Sequence, residues 1–257
     1  MSDTSKLVVT GIACLALGAV ASQYLPNNNA VSTGGINEGE VKTIVADYIS
    51  QNPEKIIESL QSLQQQAAVD QKQQMQVAVQ QNLNELKDYK NSPTAGTGES
   101  GITLVEFFDY NCGYCKRMAA TVKTILKEHP DVKVVFKEFP ILSESSQLAA
   151  KAALAIHYLK PSKYLDYHMM LMQHKGQYDM AALKDYAGQV QVDIATFEKE
   201  INSQRVLKEV QAVSDVAQKS GIQGTPAIIL GDELIPGAVP FAEVDKRIKA
   251  LKSKKDS

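Results

Sequence analysis

The chain has 257 residues, a formal net charge of −2, and 44% hydrophobic and 22% charged residues. That balance fits one large domain or two smaller ones and excludes wholesale disorder. The near-neutral charge argues against a nucleic-acid partner, and the absence of Trp with 6% aromatic residues argues against an aromatic platform for sugars or bases.

The N-terminus reads as an export signal. Lys6 gives a weak positive start, Leu7 to Val20 is apolar, and Ala19-Val20-Ala21 is a small-x-small site that predicts cleavage after Ala21. A retained membrane anchor is the competing reading, since Leu7 to Leu25 is barely long enough to span. Lipidation at Cys14 is a third, although Gly11 stands where a lipoprotein box would carry Leu. Export matters because disulfides persist in oxidising compartments.

Residues 22–39 are expected to be a polar linker. From Glu40, the apolar residues Val41, Ile44, Val45, Tyr48 and Ile49 recur at helical spacing. Asn52-Pro53 marks a break, with Asn52 as N-cap and Pro53 at the first position of a second helix. That helix is expected to continue to about Tyr89 through Ile56, Leu60, Leu63, Ala67, Met75, Val79, Leu83 and Leu86. It carries ten Gln from Gln61 to Gln81, and its apolar stripe is narrow. A lone helix of this kind needs another surface. Residues 40–90 are therefore expected to be a helical dimerisation arm, with packing on the chain's own domain as the alternative. A second linker is expected over 91–100, where Ser, Pro, Thr and Gly cluster.

Composition then changes. Ile102 to Phe108 reads as a buried central strand, Cys112 to Glu128 as a helix stopped by Pro130, and Val132 to Phe136 as a second strand: a βαβ unit. Residues 145–220 are almost wholly helical in pattern. Segments are expected at Ser145 to Leu159, from Pro161 to before Gly176, at Met180 to Gln189, Ile194 to Ile201, and Ser203 to Ser220, with Gly221 as the cap. Met169, Met170 and Met172 within them suit core packing or a client surface. Ala227 to Leu230, a Gly231-Asp232 turn, Glu233 to Ile235 and a closing helix from Phe241 to Leu251 complete an α/β frame with a helical insertion.

Of three cysteines, two form the sequence Cys112-Gly113-Tyr114-Cys115 at the start of a helix that follows a buried strand. Residues three apart share a helix face, so their sulfurs can close a small ring. The first lies among unpaired backbone N–H groups at the positive end of the helix dipole. A lowered thiol pKa and nucleophilic character are expected for Cys112, with Cys115 as the resolving thiol. Half of a zinc site and a structural disulfide are competing readings. Two further residues stand out. Thr225-Pro226 precedes a strand, where Pro is tolerated. Glu106 sits inside an apolar strand, so its carboxyl is either at an exposed edge or buried with a raised pKa. If buried, it could exchange a proton with Cys115.

Phe107-Phe108-Asp109-Tyr110-Asn111 before the dithiol, the helical insertion, and Gly224-Thr225-Pro226 together resemble the DsbA family of thiol–disulfide oxidoreductases, over about Gly101 to Lys252. The resemblance implies a thioredoxin fold with an inserted helical domain over residues 101–257, a cis Pro226, a substrate-holding Thr225 and a buried proton carrier at Glu106. No cofactor or metal is expected, since a closed zinc site needs two further ligands and none of the four histidines has a familiar finger spacing. The resemblance also implies a periplasmic location, exported cysteine-bearing clients and a membrane redox partner. Gly113-Tyr114 and Thr225 depart from the monomeric oxidases and approach the dimeric isomerases of the DsbC kind. The N-terminal segment resembles the dimerisation region of a DsbA-like subgroup in Legionella and Coxiella. These features imply a homodimer that forms or isomerises disulfides. A dimeric chaperone or surface binding protein with a non-essential dithiol is the alternative.

Overall fold

The computed structural model describes residues 37–255, so the export-signal, anchor and Cys14 expectations lie outside the described residues. The chain divides into two compact units, one ending at Ser62 and one spanning Leu63–Ser257.

In the first unit, α1 (Glu38–Gln51) opens on a capping box. Asn37 accepts from the Glu40 N–H, and the Glu40 carboxylate accepts from the Asn37 N–H. No residue of α1 is buried. Asn52 stands before α2 as expected, its carbonyl accepting from the Lys55 N–H at 3.1 Å, while its side-chain amide donates back to the Tyr48 carbonyl at 2.8 Å and closes α1. Pro53 does start α2 (Pro53–Gln81).

The single helix expected to Tyr89 breaks at Asn82, whose side chain donates to the Ala78 carbonyl at 2.8 Å and competes with the helical ladder. A short α3 (Leu83–Lys87) follows. Val79 and Leu86 are fully buried in the core of the second unit, so packing on the chain's own domain holds for this end of the segment. The expected linker is also corrected. It contains β1 (Thr94–Ala95), paired antiparallel with a later strand. Ser92 before it is buried and donates to Glu209 at 2.5 Å.

The frame is β2 (Thr103–Phe108), α4 (Gly113–Glu128) and β3 (Lys133–Glu138), with β2 and β3 parallel. The insertion is α5 (Glu144–Leu159), a 3-10 turn at Pro161–Lys163, α6 (Tyr164–Gln173), α7 (Met180–Gln189), α8 (Ile194–Ile201) and α9 (Gln204–Lys219). Gly221 follows at φ +70°, and the Ile222 N–H reaches the Ala217 carbonyl, closing α9 as the sequence suggests. The chain ends in β4 (Ala227–Leu230), β5 (Glu233–Pro236) and α10 (Phe241–Lys255). The sheet order is β1-β3-β2-β4-β5.

Strand alternation divides the core. Leu104, Phe108, Val134 and Phe136 face α4, α10 and helices α5 to α8 of the insertion. Val105, Phe107 and Val135 face α9 and the end of α2. Glu106, lying between Val105 and Phe107 in sequence, belongs to the first of these faces. That face also buries Cys112 and Cys115.

Candidate active site

The loop from β2 to α4 is held from below by Asp109, a buried side chain. One carboxylate oxygen accepts from the Asn111 N–H at 2.8 Å, and the other from the N–H groups of Ile141 and Leu142 at 2.8 and 2.9 Å. The segment following β3 is thereby tied to the residues that present the dithiol. Cys112 is the N-cap of α4 in extended conformation, where a Ser or Asp would ordinarily sit. Its Sγ accepts from the Cys115 N–H at 3.3 Å, so an unpaired first-turn donor of the helix points at sulfur.

Across the sheet, Thr225-Pro226 is cis. The Cys112 thiol donates to the Thr225 carbonyl at 3.3 Å. Residues 113 positions apart in the chain thus meet at one sulfur. A side chain at Gly113 would meet no neighbouring atom, which leaves the approach beside the sulfur open. Tyr114 is 61% exposed, and the Arg117 guanidinium lies 4.1 Å from its ring centre. The dipeptide, uncharged in itself, is therefore accompanied by a cation.

Cys115 is fully buried. Burial pushes its thiol pKa up and the Cys112 side chain adds to this, while hydrogen bonding to the Asp109 backbone and the Thr225 side chain opposes it. Glu106 is buried on the same face of the sheet, neither carboxyl oxygen has a hydrogen-bond partner among the described residues, and burial raises its pKa to about 8. Of the two readings of Glu106, the structure selects the buried one. It brings together Cys112, Gly113, Cys115, Thr225 and Pro226, with Tyr114 on the outer surface.

Sequence reasoning missed the buried acid Glu138. Glu138 Oε1 accepts from the hydroxyls of Tyr110 and Tyr164 at 3.1 and 2.9 Å, and the Tyr110 hydroxyl also lies 3.0 Å from Nδ1 of His168. Burial raises the Glu138 pKa well above the usual range against the opposing tyrosine bonds, and burial lowers that of His168 to about 3. His168 is therefore neutral at pH 7. The signal available in sequence was the register, since Glu138 follows Val134 and Phe136 at alternate positions. Tyr178 adds another tie, its hydroxyl lying 3.0 Å from the Tyr110 carbonyl.

A βαβ frame with a helical insertion and a thiol pair capping a helix beside a cis proline defines a thioredoxin-fold protein. Residues 87–250 match the thioredoxin family, and the chain belongs to it. Residues 38–68 match the N-terminal domain of the copper resistance protein ScsC. The chain is 27% identical over 176 residues to disulfide bond formation protein D of Bacillus subtilis, covering 64% of this chain and 79% of that protein. Among solved structures, it is similar to the catalytic domain of Proteus mirabilis ScsC, with 32% identity, a TM-score of 0.63, and 69% of this chain and 98% of that one covered. It is also similar to the thiol-disulfide exchange protein alpha-DsbA2 of Wolbachia pipientis, with 28% identity, a TM-score of 0.65, and 69% and 95% covered. The fold is DsbA-like, and the protein is a thiol–disulfide oxidoreductase of the DsbA/ScsC type.

Proposed function

We propose that Cys112 and Cys115 are the redox pair and that the protein forms and isomerises disulfides in exported, cysteine-bearing proteins of the periplasm. The observation that carries this reading is the placement of the Cys112 sulfur, at 3.3 Å from both the Cys115 N–H and the Thr225 carbonyl.

In oxidation, a client thiolate attacks the Cys112 sulfur of the Cys112–Cys115 disulfide. The bond to Cys115 breaks, and the electron pair leaves on Cys115. Burial disfavours that thiolate, so it takes a proton, and Glu106 holds one at pH 7. A second client thiolate then attacks the client sulfur of the mixed disulfide and Cys112 leaves. The client loses two electrons and the protein dithiol gains them, to be passed to a membrane redox partner. In isomerisation, the Cys112 thiolate attacks a client disulfide, a different client thiolate displaces it, and no net electrons move.

The arm serves the second activity. Ile44, Val45, Tyr48 and Ile49 of α1 are exposed large apolar residues, with Ile56, Ile57 and Leu60 following on α2. Their occupant is a second copy of the chain, giving a homodimer that holds a misfolded client between two dithiols. The match of residues 38–68 to the ScsC N-terminal domain supports treating this segment as a module of its own.

The test is reactivation of scrambled ribonuclease by the full chain and by a chain beginning at Leu63. Reactivation that requires the arm is the expected result. Oxidation of reduced ribonuclease without reactivation of the scrambled form would overturn the isomerase role. Full activity of Cys112→Ser in both assays would overturn the dithiol assignment.

A further inference from the structure

Behind the Thr225 backbone that meets the Cys112 sulfur lies a cleft that the thioredoxin frame alone does not build. Thr225, whose carbonyl meets Cys112, also lines a cavity of about 380 Å³ with Pro226, Leu234 and Pro236. Gln71 and Met75, both from the second half of α2, line it as well. That half-helix belongs to the same compact unit as the dithiol. It is anchored there by Val79, fully buried, and by Met75 itself, whose Cγ lies 3.6 Å from where a side chain at Gly221 would begin.

A second anchor decides how the cleft can be used. β5 is an edge strand, and such an edge ordinarily invites an added strand. Here, the Gln76 side-chain amide occupies it. Its nitrogen donates to the Asp232 carbonyl at 2.7 Å, and its oxygen accepts from the Leu234 N–H at 3.1 Å. Gln76 thus makes the bonds an incoming strand would make. Recognition in this cleft falls to side chains, and Met75, Leu234 and Pro236 make its lining apolar.

We propose that Met75 and Gln71 are specificity-determining residues that receive a bulky apolar side chain flanking the client cysteine joined to Cys112. The inference rests on the dithiol reading above and deepens it. The occupant follows from continuity: a polypeptide attached to the Cys112 sulfur lies against Thr225, and Thr225 is a wall of the cleft. The step is a single exchange in which the Cys112 thiolate attacks the client sulfur, the Cys112–client bond forms, and the previous partner of that sulfur leaves as a thiolate with the electron pair. Met75 is suited to such a wall, because an unbranched thioether adapts to different apolar partners.

The test uses the full, reduced chain and two cysteine peptides activated as aryl disulfides. They differ only in having Leu or Glu on either side of the cysteine. The release of the coloured aryl thiolate gives the rate of attack, and the readout is the ratio of the two rates. The wild type is expected to prefer the Leu peptide by about tenfold, as partial burial of one such side chain would give. Met75→Leu should keep that order and Met75→Lys should invert it. If Met75→Lys does not fold, Gln71→Lys at the exposed mouth of the cleft should reduce the ratio in the same direction. Equal rates for the two peptides in the wild type would overturn the proposal, as would an unchanged ratio in a folded lysine variant. Failure of the wild type to react even with a small aryl disulfide lacking any peptide would instead overturn the dithiol reading, and this proposal with it.

Discussion

The Tyr164 hydroxyl lies 2.9 Å from Oε1 of Glu138, joining the helical insertion to β3 at a point buried from solvent. Tyr110, two residues before Cys112, shares that acceptor. One buried carboxyl therefore ties together the frame, the insertion and the loop that presents the dithiol. Because only its acceptor oxygen is used, Glu138→Gln should keep both bonds and stay within about 1 kcal/mol of the wild type at pH 7. Glu138→Ala takes this partner from the buried Tyr164 hydroxyl, while Tyr110 keeps His168, and should cost about 1–3 kcal/mol. Urea unfolding of the two variants checks this. An Ala variant as stable as the Gln variant would show that the tyrosines find other partners.

Glu106 has a different consequence because it has no polar partner at all among the described residues. Its pKa is raised from 4.5 to about 8 by burial. Below pH 4.5, the carboxyl is protonated in the folded and unfolded chain alike. Between there and about 8, only the unfolded chain loses its proton, so this residue makes stability fall as pH rises, at up to about 1.4 kcal/mol per unit. Above about 8 the loss is constant. Glu106→Gln removes the titration. Its stability relative to the wild type should climb from pH 5 to pH 8 and level off on either side, as read from melting temperatures across that range. A parallel pair of pH curves would mean that Glu106 does not hold its proton in the folded state.

The same variant tests the chemistry. Without a carboxyl, the Cys115 thiolate has no buried donor. Release of Cys115 when a client thiolate attacks the Cys112–Cys115 disulfide should therefore slow in Glu106→Gln, by about 10²-fold at pH 7. In Cys115→Ser the mixed disulfide should form and persist, because no internal thiol releases it. Non-reducing electrophoresis and intact mass read both outcomes. Wild-type release rates in Glu106→Gln would leave water as the proton donor.

What was legible in the sequence follows from how local each signal is. The dithiol, the helix it caps and the strand before it lie within about thirty residues, and local periodicity locates them. The bounds of α7, α8 and β4 coincide with their apolar patterns. Glu106 stood out as one acid in an apolar run. Glu138 did not, because Lys137-Glu138 at a strand end reads as a polar edge. Both prove to be buried, on opposite faces of the sheet: Lys137 donates to Ser92 at 2.9 Å, while Glu138 meets the tyrosines. β1 was hidden because two residues in a turn-rich stretch carry no period, and their pairing with β3 is long-range. Gln76 was hidden by its neighbours: ten glutamines from Gln61 to Gln81 are chemically alike, and only the path of β5 singles one out.

The position of Val79 and Leu86 divides the N-terminal segment into parts with opposite behaviour. Both are fully buried against β2, β3, α9 and β4 residues. A chain beginning at Asn91 loses them and should not fold cooperatively, since removing one buried aliphatic side chain alone costs about 2–5 kcal/mol. A chain beginning at Leu63 keeps them and should unfold in one transition. It should also be monomeric, because the exposed apolar residues of α1 are gone. In the full chain, Ile44→Lys places a charge in the middle of that face, where Ile44 is 58% exposed. The charge costs nothing while the face is open to water, but it should disrupt a seam between two copies. Sedimentation equilibrium should find twice the chain mass for the wild type and the single mass for Ile44→Lys, at unchanged melting temperature of the dithiol unit. A wild type that sediments as a monomer at every concentration would remove the second copy as the occupant of α1, and with it the account of isomerisation that depends on two facing dithiols.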